Sequence, residues 1–318
     1  MITYAALLGA VELGMIYAIL ALGVFLSFRT LNSPDLTVDG SIVTGAAASA
    51  MICSLGGNPI LALAVSFVLG CLAGVITALL NTKLKIQPLL AGILVMLGIY
   101  SINLRIMGNR SNIALTKSET LYKVAKEIFP AGTSSLLLGA IILSIIILLL
   151  YFFLNTRLGF ALRATGDNED MVRASGISSD SMKIIGLALS NGIVGLSGGM
   201  LAQYQSYTDI GMGVGMVVIG LASVIIGEAI FGSKSLLRRL IAVALGAIVY
   251  RLVISFALNF GMAANDLKLV SAVIVTAALS LGLMGENFSL KSIGLFKAKD
   301  KNSFKEEDKN SLQEKGGM

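Results

Sequence analysis

Residues 158–183 read LGFALRATGDNEDMVRASGISSDSMK, and they place Arg163, Asp167, Asn168, Glu169, Asp170, Arg173, Asp180 and Lys183 in one stretch of a chain that is otherwise mostly apolar. The stretch has the grammar of a short helix. Asp167 is an N-cap type, able to accept from the free N–H groups of a first turn. Glu169 and Asp170 follow in that turn, where acidic groups suit the positive helix end, and Arg173 falls near the last turn, where a cation does. Gly176 stands where a left-handed residue would end the helix. These signals predict about two turns over 168–175, with Met171, Val172 and Ala174 on the apolar side. A helix that short is not stable alone in water. It needs a surface, either the end of its own bundle or a groove on a partner. Its order inside so apolar a chain points to a membrane bundle with a structured loop on one face.

Composition agrees. Of the 318 residues, 56% are hydrophobic and 13% charged, against about a quarter charged in soluble domains. Lipid is the expected solvent. His is absent, which removes the commonest general base and the usual zinc ligand; an intramembrane enzyme is disfavoured further by the lack of a clustered acid pair. Cys53 and Cys71 stand singly in apolar runs and read as small packing residues. The net charge of +6 is spread over loops between apolar segments. No basic stripe with interleaved aromatics marks a nucleic-acid binder. The first apolar run lacks a basic leader, exceeds a signal-peptide core in length and contains Glu12, so it reads as a retained span.

A spanning helix needs about twenty predominantly apolar residues. The expected fold is all-α, a polytopic membrane protein with about nine spans (eight to ten), at 4–28, 37–54, 59–80, 88–107, 134–154, 183–203, 213–231, 239–260 and 268–285. The second is short, carries Asp39 and reads as broken or re-entrant. Arg29, Lys83 with Lys85, Arg157 with Arg163 and Arg173, and Lys234 with Arg238 and Arg239 fall on one side, which the positive-inside rule assigns to the cytoplasm. That orientation puts the N-terminus outside and the C-terminus inside. The loop 108–133 is then extracytoplasmic despite Arg110, Lys117, Lys123 and Lys126, and 155–182 is a cytoplasmic loop. A membrane domain, 1–285, is followed by a charged tail, 286–318, too poor in apolar residues to fold alone.

Ionisable groups at membrane depth are expensive and mark candidate sites. Glu12, Asp39, Glu228 and Arg251 qualify, and Arg251 is expected to pair with one of the three acids. Asn103, Asn191 and Gln203 are candidates for bridging helices or lining a path. Small residues at helical spacing, Ala10/Gly14/Ala18, Gly70/Gly74 and Gly195/Gly199, predict close helix contacts. GEAIFGSKS, at 227–235, is one residue too long for a phosphate loop and follows a spanning run rather than a strand.

The sequence GFALRATGDNEDMVRASGIS and the following MKIIGLALSNGIVGLSGGMLAQY resemble the loop and next span of ABC importer permeases of the branched-chain amino acid and ribose type. Gly159, Arg163, Ala164, Gly166, Asn168, Gly176 and Ile177 match that pattern in order, while the alanine expected between Asn168 and Gly176 is met only by Val172 or Ala174. The resemblance implies a bacterial inner-membrane permease with no ATPase of its own. It implies that Arg163, Gly166, Asp167, Asn168, Glu169, Asp170, Met171, Arg173 and Gly176 form a coupling helix seated in the cleft of a separate ATPase subunit, where ATP and magnesium bind. It further implies a second permease copy or paralogue, and an extracytoplasmic solute-binding lipoprotein meeting the 108–133 loop. The cargo is expected to be an amino acid, branched-chain or aromatic, ahead of sugars or nucleosides. An ion-coupled secondary transporter using Asp39 and Arg251 is the main rival, without a persuasive inverted repeat to support it.

Overall fold

In lipid the apolar effect does not hold helices together, and close packing must do so instead. Helix α9 (Ser179–Gln205), begun by the Ser178 side chain accepting from the Ser181 N–H, meets that demand with Gly186, Gly192, Gly195, Gly198 and Gly199 along its length. In the computed structural model, which describes residues 4–259 except 129, 131 and 233, together with 269, 272, 273 and 276, α9 packs against α1 (Tyr4–Val24), α2 (Thr37–Ser54) and α3 (Pro59–Thr82). The contacts are backbone to backbone. A Cβ on Gly45 would run into the Gly195 carbonyl, one on Gly70 into that of Asn191, one on Gly74 into that of Leu187, and one on Gly198 into that of Ile42. Serine hydroxyls reinforce this by donating across helices: Ser66 to the Gly45 carbonyl at 2.8 Å, Ser190 to Gly23 at 2.7 Å and Ser197 to Ile16 at 2.8 Å.

Around this centre α4 (Pro88–Ile106) packs on α2 and α3, α6 (Ser134–Leu154) covers α1, and α10 (Met216–Phe231) with α11 (Leu236–Asn259) closes the other flank of α1. Gly227 and Gly246 let α10 and α11 touch the same way. The first helix does not stop at Val24. It widens into a π-turn over Phe25–Thr30, which carries Arg29 in its last turn. The chain then doubles back, so α2 starts beside Asn191, twelve residues into α9. At about 1.5 Å per residue that start lies well inside the bundle, as the weak second segment suggests.

Six described helices are long and apolar enough to cross a membrane. Helix α2 is too polar to qualify and α10, at 16 residues, too short. The expected count of nine is therefore not reached among the described residues; the ninth segment, 268–285, and the tail lie almost wholly outside them. The fold is an all-α polytopic membrane protein with one small addition. Strands β1 (Asn112–Ala114) and β2 (Tyr207–Asp209) pair antiparallel, which brings the 108–133 loop and the α9–α10 connection to the same end of the bundle. That loop is built rather than slack. It contains α5 (Leu121–Ile128), the Leu121 N–H donates to Gln203 Oε1 at 2.8 Å, and Lys123 Nζ donates to the carbonyls of Thr116 at 2.7 Å and Ser118 at 2.6 Å. A basic residue that argues against an outside loop is thus absorbed in capping carbonyls.

Gly70→Ala should cost about 1–3 kcal/mol, the range for forcing atoms into a packed interior. Gly98→Ala, where a Cβ meets nothing within 4 Å, should cost nothing measurable. Thermal unfolding midpoints of the two variants in detergent test the comparison; equal midpoints would contradict the close-contact account of α9.

Candidate functional site

The polar connection between α6 and α9 folds as two helices, not one. Thr156 caps α7 (Arg157–Asp167) by accepting from the Gly159 N–H at 3.2 Å. Asp167, read from the sequence as the cap of the short helix, is instead the last residue of α7. The cap of α8 (Glu169–Ala174) is Asn168, extended at φ −156°, whose Oδ1 accepts from the Met171 N–H at 3.0 Å. A capped α7 carries the helix one residue past the predicted break, and Asn168 then supplies the break. The C-terminus behaves as expected. Gly176 takes φ +80°, its N–H donates to the Arg173 carbonyl at 3.0 Å and the Ile177 N–H donates to Val172 at 3.2 Å, a Schellman closure.

Glu169 ties α8 to the bundle. Its carboxylate receives Lys183 Nζ at 2.6 Å, Arg173 Nη2 at 2.6 Å and Ser179 Oγ at 3.1 Å. Arg173 Nε also donates to Ser179 at 2.7 Å. Helix α8 is thus bolted to the first turn of α9 by charge-assisted bonds. The Lys183 ammonium, hydrogen-bonded to Glu169, holds its carboxyl below the usual carboxylate range. Of the three residues expected on one apolar side, Val172 alone turns inward and is buried; Met171, at 56% exposure, and Ala174 face out together with Ile177. The helix rests on its own bundle by one face and offers a small apolar surface on the other. Asp170 is exposed. Gly166 serves a different purpose: it lets α7 touch the Thr30 carbonyl at the end of the π-turn. Arg163 stacks its guanidinium over the Phe160 ring at 4.4 Å and borders a cavity of 460 Å³ shared with Arg29, Asp167, Lys234 and Arg239.

The intramembrane charges are not gathered in one place. Glu12 accepts from the Tyr204 hydroxyl at 2.8 Å. Glu228 pairs with Arg29 at 3.1 Å, at the end of the bundle that carries α7. Asp39 spans two backbone donors at the start of α10, Gly215 N–H at 2.9 Å and Val217 N–H at 2.8 Å. Arg251 makes no ion pair with any of the three. The expected pairing is corrected: its guanidinium lies over the Tyr17 ring, 4.8 Å from the centroid. A ring face attracts a cation without an anion, and each of the three acids already has another donor. Asn191 and Gln203 do bridge helices. Gln203 reaches Ser49 and the Pro59 carbonyl, while Asn191 donates to Asp35 at 2.6 Å and accepts from Ser41 at 2.7 Å. Asn103 donates to the Gly40 carbonyl at 3.4 Å.

Asp35 is the residue that sequence reading passed over. It is 1% exposed and also accepts from the Thr37 N–H at 2.8 Å, fixing the turn that sends α2 into the bundle. A signal was present in "SPDLT": an acid directly after proline and two residues before a helix start is a turn former. Lys183 and Tyr204, the partners of Glu169 and Glu12, carry no such local signal.

The family described as "Branched-chain amino acid transport system / permease component" matches residues 6–281 of the chain. A tyrosine transport system permease protein of Clostridioides difficile is 40% identical over 277 residues, which cover 87% of this chain and 90% of that one. The ribose import permease protein RbsC of Escherichia coli is 26% identical over 266 residues, 82% of this chain and 80% of that one. Among solved structures, PsaBC from Streptococcus pneumoniae in complex with Fab is similar with a TM-score of 0.50 over 88% of each chain, at 17% identity, a likeness of fold alone.

The Glu169 clamp has a defined pH window. A carboxyl whose folded value is depressed contributes stability that is present above its unfolded value, about 4.3 for Glu, and is lost as pH falls through the folded value. Hydrogen-exchange protection factors of residues 169–177 should therefore be level from about pH 8 to 5 and fall below about pH 4. Glu169→Gln should lower them above about pH 5 to near the acid level of the wild type, and flatten the acid drop. A wild-type drop beginning near neutrality would contradict the clamp.

Proposed function

The chain belongs to the family of branched-chain amino acid transport system permease components, and from that premise we propose that it forms the solute pathway of an amino-acid importer and is driven through α8 by a separate ATPase subunit. The observation that carries the coupling role is the mounting of α8. One face is fixed by Val172 and the Glu169 clamp, and the other presents Met171, Ala174 and Ile177. A short helix held this firmly transmits a push or pull to α9 rather than bending away from it. The exposed apolar residues suit the floor of a partner's cleft.

The remaining parts of the assembly follow the same reading. Two copies, or one copy and a paralogue, enclose the path; two ATPase subunits holding ATP and magnesium sit on the α7–α8 side. A solute-binding lipoprotein delivers cargo to the opposite end, where α5 and the β1–β2 ribbon provide a shaped platform. The basic residues on the α7–α8 side support its cytoplasmic orientation, with the N-terminus outside and nine spans in all. An aromatic or branched-chain amino acid is favoured as cargo by the 40% identity to a tyrosine permease. The ribose permease at 26% supports a sugar as the second reading.

Met171→Asp puts a charge on the outer face of α8 without touching the inner one. Membrane insertion and thermal stability should be unchanged. Copurification of the ATPase subunit and ATP-driven solute uptake in proteoliposomes should fall by about tenfold or more, as for a charge buried unpaired in an interface. Uptake at the wild-type level, or uptake by the permease with no ATPase added, would overturn the proposal.

A further inference from the structure

Between α2, α4 and the loop that leads into α10 lies a cavity of 170 Å³. It is smaller than the roughly 300–1,000 Å³ of pockets for drug-sized ligands, the scale of one small metabolite or part of it. Val43, Met96, Leu97 and Tyr100 supply apolar walls, and Asp39 and Asn103 supply the side-chain polarity. Asn103 is 1% exposed; its amide nitrogen is engaged with the Gly40 carbonyl, and its Oδ1 has no hydrogen-bond partner. A buried acceptor left empty costs free energy, so it favours a donor that can reach it.

Asp39 adds a second acceptor. An ionised carboxylate has about four lone-pair positions, and the two N–H groups of Gly215 and Val217 occupy two of them. Those backbone donors stand in for a cationic partner, and no Lys or Arg lines the cavity. Two residues with unfilled side-chain acceptor positions, one of them a carboxylate, therefore border the cavity, and no Lys or Arg does. Its place in the fold matters too. Asp39 lies two residues into α2, whose start is level with the middle of α9.

We infer that this cavity is a solute station that holds the ammonium group of an amino acid on Asp39 and Asn103 Oδ1, with an apolar or aromatic side chain against Met96, Leu97 and Tyr100. This deepens the importer reading and rests on it. An ammonium brings three donors and a positive charge, the complement of what the cavity presents. Its carboxylate points away from Asp39, as like charges require. A sugar, with donors and acceptors on every face, would leave many of them unpaired against these walls.

The experiment uses the permease reconstituted in proteoliposomes with its ATPase subunits and binding protein, and follows ATP-driven uptake of radiolabelled L-tyrosine, L-leucine and D-ribose. Asn103→Leu removes the acceptor at similar size and should cut amino-acid uptake at least about tenfold, the loss expected for one hydrogen bond to a charged group. Asn103→Asp, which in its protonated form keeps both an acceptor and a donor for Gly40, should hold uptake within about threefold of wild type, a loss well short of one such bond. Leu97→Trp, at a position 61% exposed, should fill the cavity and block uptake while ATPase and binding-protein docking persist. It carries the test if Asn103→Leu does not fold. Wild-type uptake of L-tyrosine or L-leucine that survives Leu97→Trp or a well-folded Asn103→Leu would overturn the station and leave the importer reading standing. Wild-type uptake of ribose alone would overturn the amino-acid reading, and the station with it.

Discussion

The close contact of bare backbone along α9 is the constraint on which the rest depends. In hydrocarbon there is no gain in hiding one leucine behind another, so helices stay together only where their surfaces approach closely. Helix α9 meets α2 and α3 through glycines carried by all three helices, and serine hydroxyls add hydrogen bonds from α3 to α2 and from α9 to α1. Once those three helices are fixed, Asn191 has a defined position, and with it the Asp35 turn and the start of α2. The buried polar groups become affordable because the contacts that bring them together are rigid.

A second layer of order comes from charges that pair locally. Glu228 with Arg29 and Glu169 with Lys183 and Arg173 fix the ends of helices near the α7–α8 face. Lys123 does the same at the opposite end by holding loop carbonyls. Each of these stitches a loop or terminus to a neighbour, where solvent is close and a partly exposed pair is inexpensive to form. Asp39 and Arg251 follow another rule. They lie deeper, and their partners are backbone N–H groups and an aromatic face rather than opposite charges.

Much of this was legible in the sequence, for reasons that can be stated. The spans come from length and apolarity, the Gly176 stop from its position after a capped turn, and the Gly70/Gly74 and Gly195/Gly199 contacts from helical spacing. What escaped was decided at a distance. Asp167 lost the cap to Asn168 because Thr156, eleven residues earlier, nucleates a helix that runs through it. Arg251 faces Tyr17 because of how α11 crosses α1, and Glu12, Glu228 and Asp39 are each held by another donor. Asp35 was hidden by its setting, since nothing local says that the turn after Pro34 is folded into the bundle rather than left at its end.

Asp39 binds two helices with one side chain, and this limits how they can part. A motion that draws the start of α10 away from α2 must break two N–H bonds, one on each oxygen of the same carboxyl group. The joint therefore resists such a motion more firmly than a single bond would. Because Asp39 also borders the Asn103 cavity, a solute held there as inferred above would draw on the same carboxyl group that ties α10 to α2.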